Sequence, residues 1–171
     1  MLKTLGASLL ALGLLLAKGA YADMTQDEFL AKAFPAGNAQ TAMLWLTPPI
    51  KQRAAAVLGH DYAGLRVKYW GSGNRTAWVL DEIGKERPIT IGVVVEQGHI
   101  ASVDILAYRE SRGGEVARPF FTRQFDKAGL QGGDNLTTHI DGITGATMSV
   151  GAVSRVSRLA LVFDQEVAAH K

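Results

Sequence analysis

The N-terminal third of the chain has the apolar spacing of short helices. Thr25 and Glu28 have the S/T-x-x-E spacing of a capping box, and Pro35 would stop a helix that begins after Thr25. An alanine-rich segment over residues 51–58 ends at Gly59, a residue that commonly terminates helices. We therefore predict two N-terminal helices.

From residue 65 onward the apolar residues alternate with polar ones, which is typical of strands. Four such segments lie at residues 65–70, 77–83, 89–96 and 100–108, and short glycine-containing turns separate them. Strands that follow one another through short turns pair antiparallel. The pattern therefore predicts an antiparallel meander.

Near the C-terminus the apolar period changes again, to one residue in every three or four. This period predicts an amphipathic helix with Ser154, Arg155, Ser157 and Arg158 on its solvent side. The apolar face would consist of Val150, Val153, Val156, Ala160 and Phe163. The expected fold class is α+β: a mainly antiparallel sheet with helices packed on one face, N-terminal helices and a C-terminal amphipathic helix.

The composition excludes several kinds of chemistry. The chain has 171 residues, enough for one globular domain, and no cysteine. It therefore has no disulfide, thiolate zinc site, cysteine-bound iron–sulfur cluster or cysteine nucleophile. The four histidines are far apart and lack the spacing of metal ligands, so we predict no metal site. Any redox chemistry requires a cofactor.

The first residues have the features of an export signal. Lys3 precedes an apolar run over residues 5–17, and Ala20 and Ala22 are small residues at the positions that signal peptidase reads. Thirteen apolar residues are fewer than the roughly 20 that a transmembrane helix needs. We predict a signal peptide over residues 1–22 and a periplasmic location; a retained leader would attach the protein to the inner membrane.

Removal of this leader changes the charge balance. It removes two of the 18 basic residues and none of the 16 acidic ones, so that the two signs balance in the mature chain. Nucleic-acid binding depends on a clustered basic excess. We therefore expect no nucleic-acid partner.

The segment over residues 141–149, with the sequence DGITGATMS, is the first candidate site. Its glycines allow tight turns, and Thr144, Thr147 and Ser149 place hydroxyls beside the start of the predicted C-terminal helix. A helix N-terminus favours a phosphate because its N–H groups are unpaired and its dipole end is positive. Alternatively, Thr147 or Ser149 caps the helix and the glycines form a turn.

A second candidate site follows the fourth predicted strand, over residues 108–116 with the sequence YRESRGGEV. The Gly113-Gly114 pair could bring backbone N–H groups close to a flat ligand. The alternative is a flexible surface hairpin.

Together the two segments resemble the FMN-binding domain family, over about residues 75–165. That family includes the periplasmic flavin-carrying subunits of the sodium-pumping NADH:quinone oxidoreductase and of the Rnf electron-transport complex. The most specific element is the D-x-x-[ST]-G-A-[ST] signature, which is met here by Asp141, Thr144, Gly145, Ala146 and Thr147.

The resemblance implies FMN as the cofactor, esterified through its phosphate to Thr147 by a flavin transferase that uses FAD. Thr144 replaces the family's commoner serine, and residues 110–114 depart from its usual acidic-Thr-Pro-Gly loop. Asp141 would assist the transferase, through its divalent metal, or would be an ordinary loop residue. The implied cofactor-binding residues are Thr147, Ala146, Gly145, Thr144, Asp141, Gly113, Gly114 and Glu110.

Three phenylalanines allow two interpretations. Phe120, Phe121 and Phe125 could pack near the flavin ring or form part of the core.

The functional prediction is a periplasmic flavoprotein that transfers electrons between a membrane-bound redox partner and another acceptor. We predict no catalytic residues of its own, so an electron carrier or an oxidoreductase subunit is favoured over a stand-alone enzyme. The alternative is a non-redox binding or accessory module for a membrane complex. The predicted layout is a signal peptide (1–22), an N-terminal helical segment (23–64) and an FMN-binding domain (65–171).

Overall fold

The computed structural model describes residues 23–170. The predicted signal peptide lies outside the described residues. Along the chain the main elements are α1 (Gln26–Ala33), β1 (Gln40–Trp45), α2 (Pro48–Leu58), β2 (Arg66–Ser72), β3 (Arg75–Ile83), β4 (Pro88–Glu96), β5 (His99–Tyr108), α3 (Pro119–Thr122), β6 (Leu130–Gln131), β7 (Asn135–Leu136) and α4 (Thr147–Ala169).

The predicted meander is confirmed. Five strands form one antiparallel sheet in the order β1-β2-β3-β4-β5, and β6 and β7 form a separate two-stranded hairpin. The longest central pairing joins β3 to β4 from Arg75 opposite Glu96 to Ile83 opposite Pro88. The fold is α+β, as the sequence pattern indicates.

The N-terminal segment is not entirely helical. Its two predicted helices are present, and the capping box of Thr25 and Glu28 forms at the start of α1. Residues 40–45, however, form β1 and pair with β2 at the edge of the sheet. A six-residue segment cannot be assigned from its periodicity alone, and this one gains its hydrogen bonds from β2, more than 20 residues later in the chain.

Helices cover both faces of the sheet, which corrects the prediction of a single covered face. Trp78 and Val93 face the main core with α2 and α4, whereas Trp70 and Val94 face α1 on the other side. The central strands carry apolar residues at consecutive positions, so both of their faces require a cover.

Phe29 of α1 lies directly against the backbone of the sheet. Its ring packs so closely on Gly92 of β4 that a Cβ atom on this glycine would lie 2.6 Å from the Phe29 ring. Phe29 is fully buried. This contact fixes α1 across the middle of the sheet.

The C-terminal helix buries more of its surface than its periodicity predicts. Ser157 was expected on the solvent side but is fully buried, because α4 packs on both the sheet and α2. Asp164 is also buried and accepts a hydrogen bond from the Thr76 hydroxyl at 2.6 Å. Within residues 23–170, no helix combines the length and the apolar character needed to cross a bilayer.

Candidate functional site

The two candidate segments meet at one cavity of about 510 Å³. Its walls come from the β3–β4 turn, the loop after β5 and the first turn of α4. The lining residues are Lys85, Glu86, Glu110, Ser111, Arg112, Gly145, Ala146, Thr147, Met148 and Ser149.

Helix α4 begins at this cavity without a side-chain cap. Its first residue is Thr147, its N-cap residue is Ala146, and no side chain accepts the N–H groups of the first turn. The preceding turn is closed by the Ala146 N–H, which donates to the Ile143 carbonyl at 2.9 Å, and has Gly145 at a φ of 80°. The capping interpretation of Thr147 and Ser149 is therefore wrong. The uncapped N–H groups and the dipole favour an anion here.

Only one of the two hydroxyl residues in this first turn of α4 is exposed. Thr147 lies on the surface, whereas Ser149 is buried and its Oγ lies 2.9 Å from the Tyr108 hydroxyl oxygen. Tyr108 donates its own hydrogen to the Arg112 carbonyl, so Ser149 donates to Tyr108. Tyr108 thereby joins the loop after β5 to the start of α4 and leaves Thr147 as the accessible hydroxyl.

The loop after β5 is packed against α4, unlike a flexible surface hairpin. Gly113 has a φ of 84°, and a Cβ atom on it would lie 2.9 Å from the Tyr108 hydroxyl oxygen and 3.0 Å from the Ala146 Cβ. Gly114 is buried and begins a short 3₁₀ helix, Gly114–Ala117. Only glycine satisfies both this backbone conformation and this spacing.

Glu110 holds the β3–β4 turn against the same loop. Its Oε1 accepts hydrogen bonds from the backbone N–H groups of Lys85, Glu86 and Arg87 at 2.5, 2.7 and 2.9 Å. Partial burial opposes ionisation, but these hydrogen bonds prevail and hold the pKa of Glu110 below its ordinary value. A Cβ atom on Gly84 would lie 2.9 Å from that oxygen, so the close approach requires glycine.

The β3–β4 turn was not predicted to be part of the site. Lys85 and Glu86 reach the cavity only because Glu110 binds the turn, and this contact joins residues about 25 positions apart. The charged GKER stretch at residues 84–87 was the available signal. Arg112 supplies a second cation, and exposed Met148 supplies a polarizable apolar group.

Two residues of the proposed signature lie outside the lining of the cavity. Thr144 is exposed in the turn before α4. Asp141 is also exposed; its N–H donates to the Gln124 side chain at 2.7 Å, and its carboxylate lies 3.7 Å from the His139 ring nitrogen. Both remain open to an external macromolecule.

The phenylalanines divide between core and surface. Phe121 and Phe125 are fully buried and meet edge-to-face with ring centroids 5.5 Å apart, as the core interpretation predicts. Phe120 is 61% exposed. The three rings therefore do not form one wall of a flavin site.

The cavity residues fit FMN. An uncapped helix N-terminus and two nearby cations, Lys85 and Arg112, suit its phosphate. A cavity of about 510 Å³ is within the usual size of cofactor sites.

The family comparison agrees with this geometry. Residues 84–162 match the model of the FMN-binding domain, and this range contains every residue that lines the cavity. The match supports a flavin-binding protein with FMN as its cofactor. No curated protein matches the chain.

Proposed function

We propose that this flavin-binding protein holds FMN covalently, through a phosphoester to the Thr147 hydroxyl oxygen. The observation that carries the proposal is the difference between two hydroxyls in one helical turn. Ser149 is buried and hydrogen-bonded to Tyr108, whereas Thr147 is exposed at the uncapped N-terminus of α4. A phosphate on Thr147 would lie beside N–H donors.

The attachment is a group transfer and not a redox step. The Thr147 Oγ1 attacks the flavin-side phosphorus of FAD, an Oγ1–P bond forms, and the pyrophosphate P–O bond breaks with AMP as the leaving group. A base on the flavin transferase takes the hydroxyl proton. Exposure of Gly145 and Thr147 gives such an enzyme access.

The protein would act as an electron carrier in the periplasm. Bound FMN supplies reversible electron transfer, and the protein sets its orientation and exposure to solvent. A covalent link would keep the flavin at high local concentration beside a membrane-bound reductase and a further acceptor. The predicted export signal supports this location.

Intact-mass analysis after coexpression with a flavin transferase tests the attachment. The full chain should gain one FMN less one water, with the adduct on Thr147 by peptide mapping. Thr147→Ala should lose the adduct completely while its circular dichroism is unchanged, and Thr147→Ser should retain it. An adduct that persists in Thr147→Ala would contradict the proposal.

Ser149→Ala is the matched control because it removes the other hydroxyl of the same turn. We expect it to retain the adduct. If the wild-type protein is yellow but releases its flavin on denaturation, FMN is bound without a covalent bond. The same mass measurement identifies the N-terminal residue, and fractionation of the cells tests the periplasmic location.

A further inference from the structure

The two edges of the five-stranded sheet are finished differently. At the β5 edge, Ile100 exchanges two backbone hydrogen bonds with residues 127 and 128, both at 2.8 Å, and Leu106 accepts one from the Met24 N–H at 3.0 Å. The pairing of β5 with β4 is also interrupted by two irregularities in register. The chain therefore covers this edge at both ends.

The β1 edge has no such protection among residues 23–170. No described strand pairs with its outer side, and its register with β2 is regular over all six residues. The strand, QTAMLW, contains neither a charged residue nor proline. Natural proteins usually protect an exposed edge with one of these devices.

The hydrogen-bond pattern identifies which residues of β1 present free backbone groups. The Leu46 N–H donates to the Leu65 carbonyl directly opposite it, at 3.0 Å. Because pairing alternates along an antiparallel strand, the N–H and C=O groups of Thr41, Met43 and Trp45 point away from β2. The side chains of these three residues are also exposed, by 43% at Met43 and 61% at Trp45.

We propose that β1 pairs antiparallel with β1 of a second copy of this chain, around a two-fold axis at Met43. In this register Met43 of one copy lies opposite Met43 of the other. Thr41 of each copy lies opposite Trp45 of the other copy, which gives two such pairs. All three residues with outward backbone groups are then in hydrogen-bonded pairs, which form six hydrogen bonds. A shift of the register by two residues would leave fewer such pairs.

The charge distribution favours a second copy as the partner. The six residues of β1 are uncharged, so the two strands bring no like charges together. The nearest cations on this face, Arg66 and Lys68, are on β2, opposite Trp45 and Met43. The two β2 strands would lie about 14 Å apart, beyond the Debye length of about 10 Å in 0.1 M salt.

Sedimentation of the full chain at several concentrations tests the association. We expect a monomer–dimer equilibrium, and we expect Met43→Lys to raise the dissociation constant by about tenfold or more, because two lysines would face each other at the axis. Phe120→Lys, which changes an exposed apolar residue far from β1, should leave it unchanged. A chain that stays monomeric, or a dimer that Met43→Lys does not weaken, would overturn the proposal.

Single cysteines test the register, because the chain has no cysteine of its own. Met43→Cys should form a disulfide-linked dimer on mild oxidation, since facing Cα atoms in a hydrogen-bonded pair are about 5.5 Å apart. Thr41→Cys should not link to itself across about 14 Å, but should link to Trp45→Cys when the two are mixed. Self-linking of Thr41→Cys alone would contradict the two-fold axis at Met43.

Discussion

Two glycine-containing loops meet at the cavity, and they are held very differently. The loop after β5 is fastened by Glu110 to the β3–β4 turn and by Tyr108 to Ser149. The loop before α4 is exposed at Gly142, Thr144 and Gly145. The first loop therefore acts as a fixed support, and the second presents Thr147.

This difference would allow one site to serve both the proposed modifying enzyme and the bound cofactor. A modifying enzyme needs access to the acceptor hydroxyl, whereas the bound cofactor needs a rigid wall. Separate loops meet these two requirements, so substitutions in the support should affect stability, and those in the presenting loop should affect modification.

The largest difference between the two loops is expected when Gly113 and Gly145, the positive-φ glycine of each loop, are replaced by alanine. Gly113→Ala should lower the free energy of unfolding by about 3 kcal/mol, because the backbone is strained and the new Cβ meets Tyr108 and Ala146. Gly145→Ala has the same backbone strain but open space around it, so we expect about 1 kcal/mol. Urea denaturation measures both, and equal losses would show that the first loop is no tighter than the second.

Replacing Glu110 should have an intermediate effect that depends on pH. Glu110→Gln should cost about 2 kcal/mol at pH 7, because charge-assisted hydrogen bonds to three backbone N–H groups are weakened. The folded-state pKa is lowered, so the carboxylate stabilises the fold fully above about 4.5, its unfolded value, and this contribution is lost as the pH falls through the folded value.

The difference in stability between wild type and Glu110→Gln should therefore shrink as the pH is lowered below about 4.5. Glu115→Gln is the matched control, since Glu115 is exposed in the same loop. A difference that is constant from pH 7 to pH 3 would show that the charge of Glu110 does not support the turn.

Removing the Tyr108 hydroxyl should have the smallest effect. Tyr108→Phe loses the contacts with Ser149 and Arg112, and we expect a cost of about 1 kcal/mol with faster hydrogen exchange in the first turn of α4. Tyr62→Phe is the control, because Tyr62 packs its ring on Phe163. Equal effects of the two variants on exchange in α4 would argue against a specific link through Tyr108.

Local patterns predicted the elements that depend on neighbouring residues. The capping box at Thr25, the alternation in β2 to β5 and the helical period in α4 all carry their signal within a few positions. They failed where a distant contact decides, as at β1, which pairs with β2, and at Ser157, which is buried beneath other elements.

The candidate site was predicted in part for the same reason. Two separate segments pointed to Glu110 and to residues 145–147, and the structure places both at one cavity. The part that was missed, Lys85 and the turn around it, depends on the Glu110 carboxylate reaching backbone N–H groups. Every residue except proline has a backbone N–H, so residue type does not indicate which N–H groups a distant carboxylate will bind.

The contact of Phe29 with Gly92 shows that the recognisable domain and the folding unit differ in length. The family match begins at residue 84, yet α1 seals the middle of β4 from a position more than 50 residues upstream. A gene fragment trimmed to the matched range would lack α1, β1, α2, β2 and β3, and would expose to solvent the face of its remaining sheet that α1 covers. The unit that folds together therefore includes the helices and strands before residue 84, and not the matched part alone.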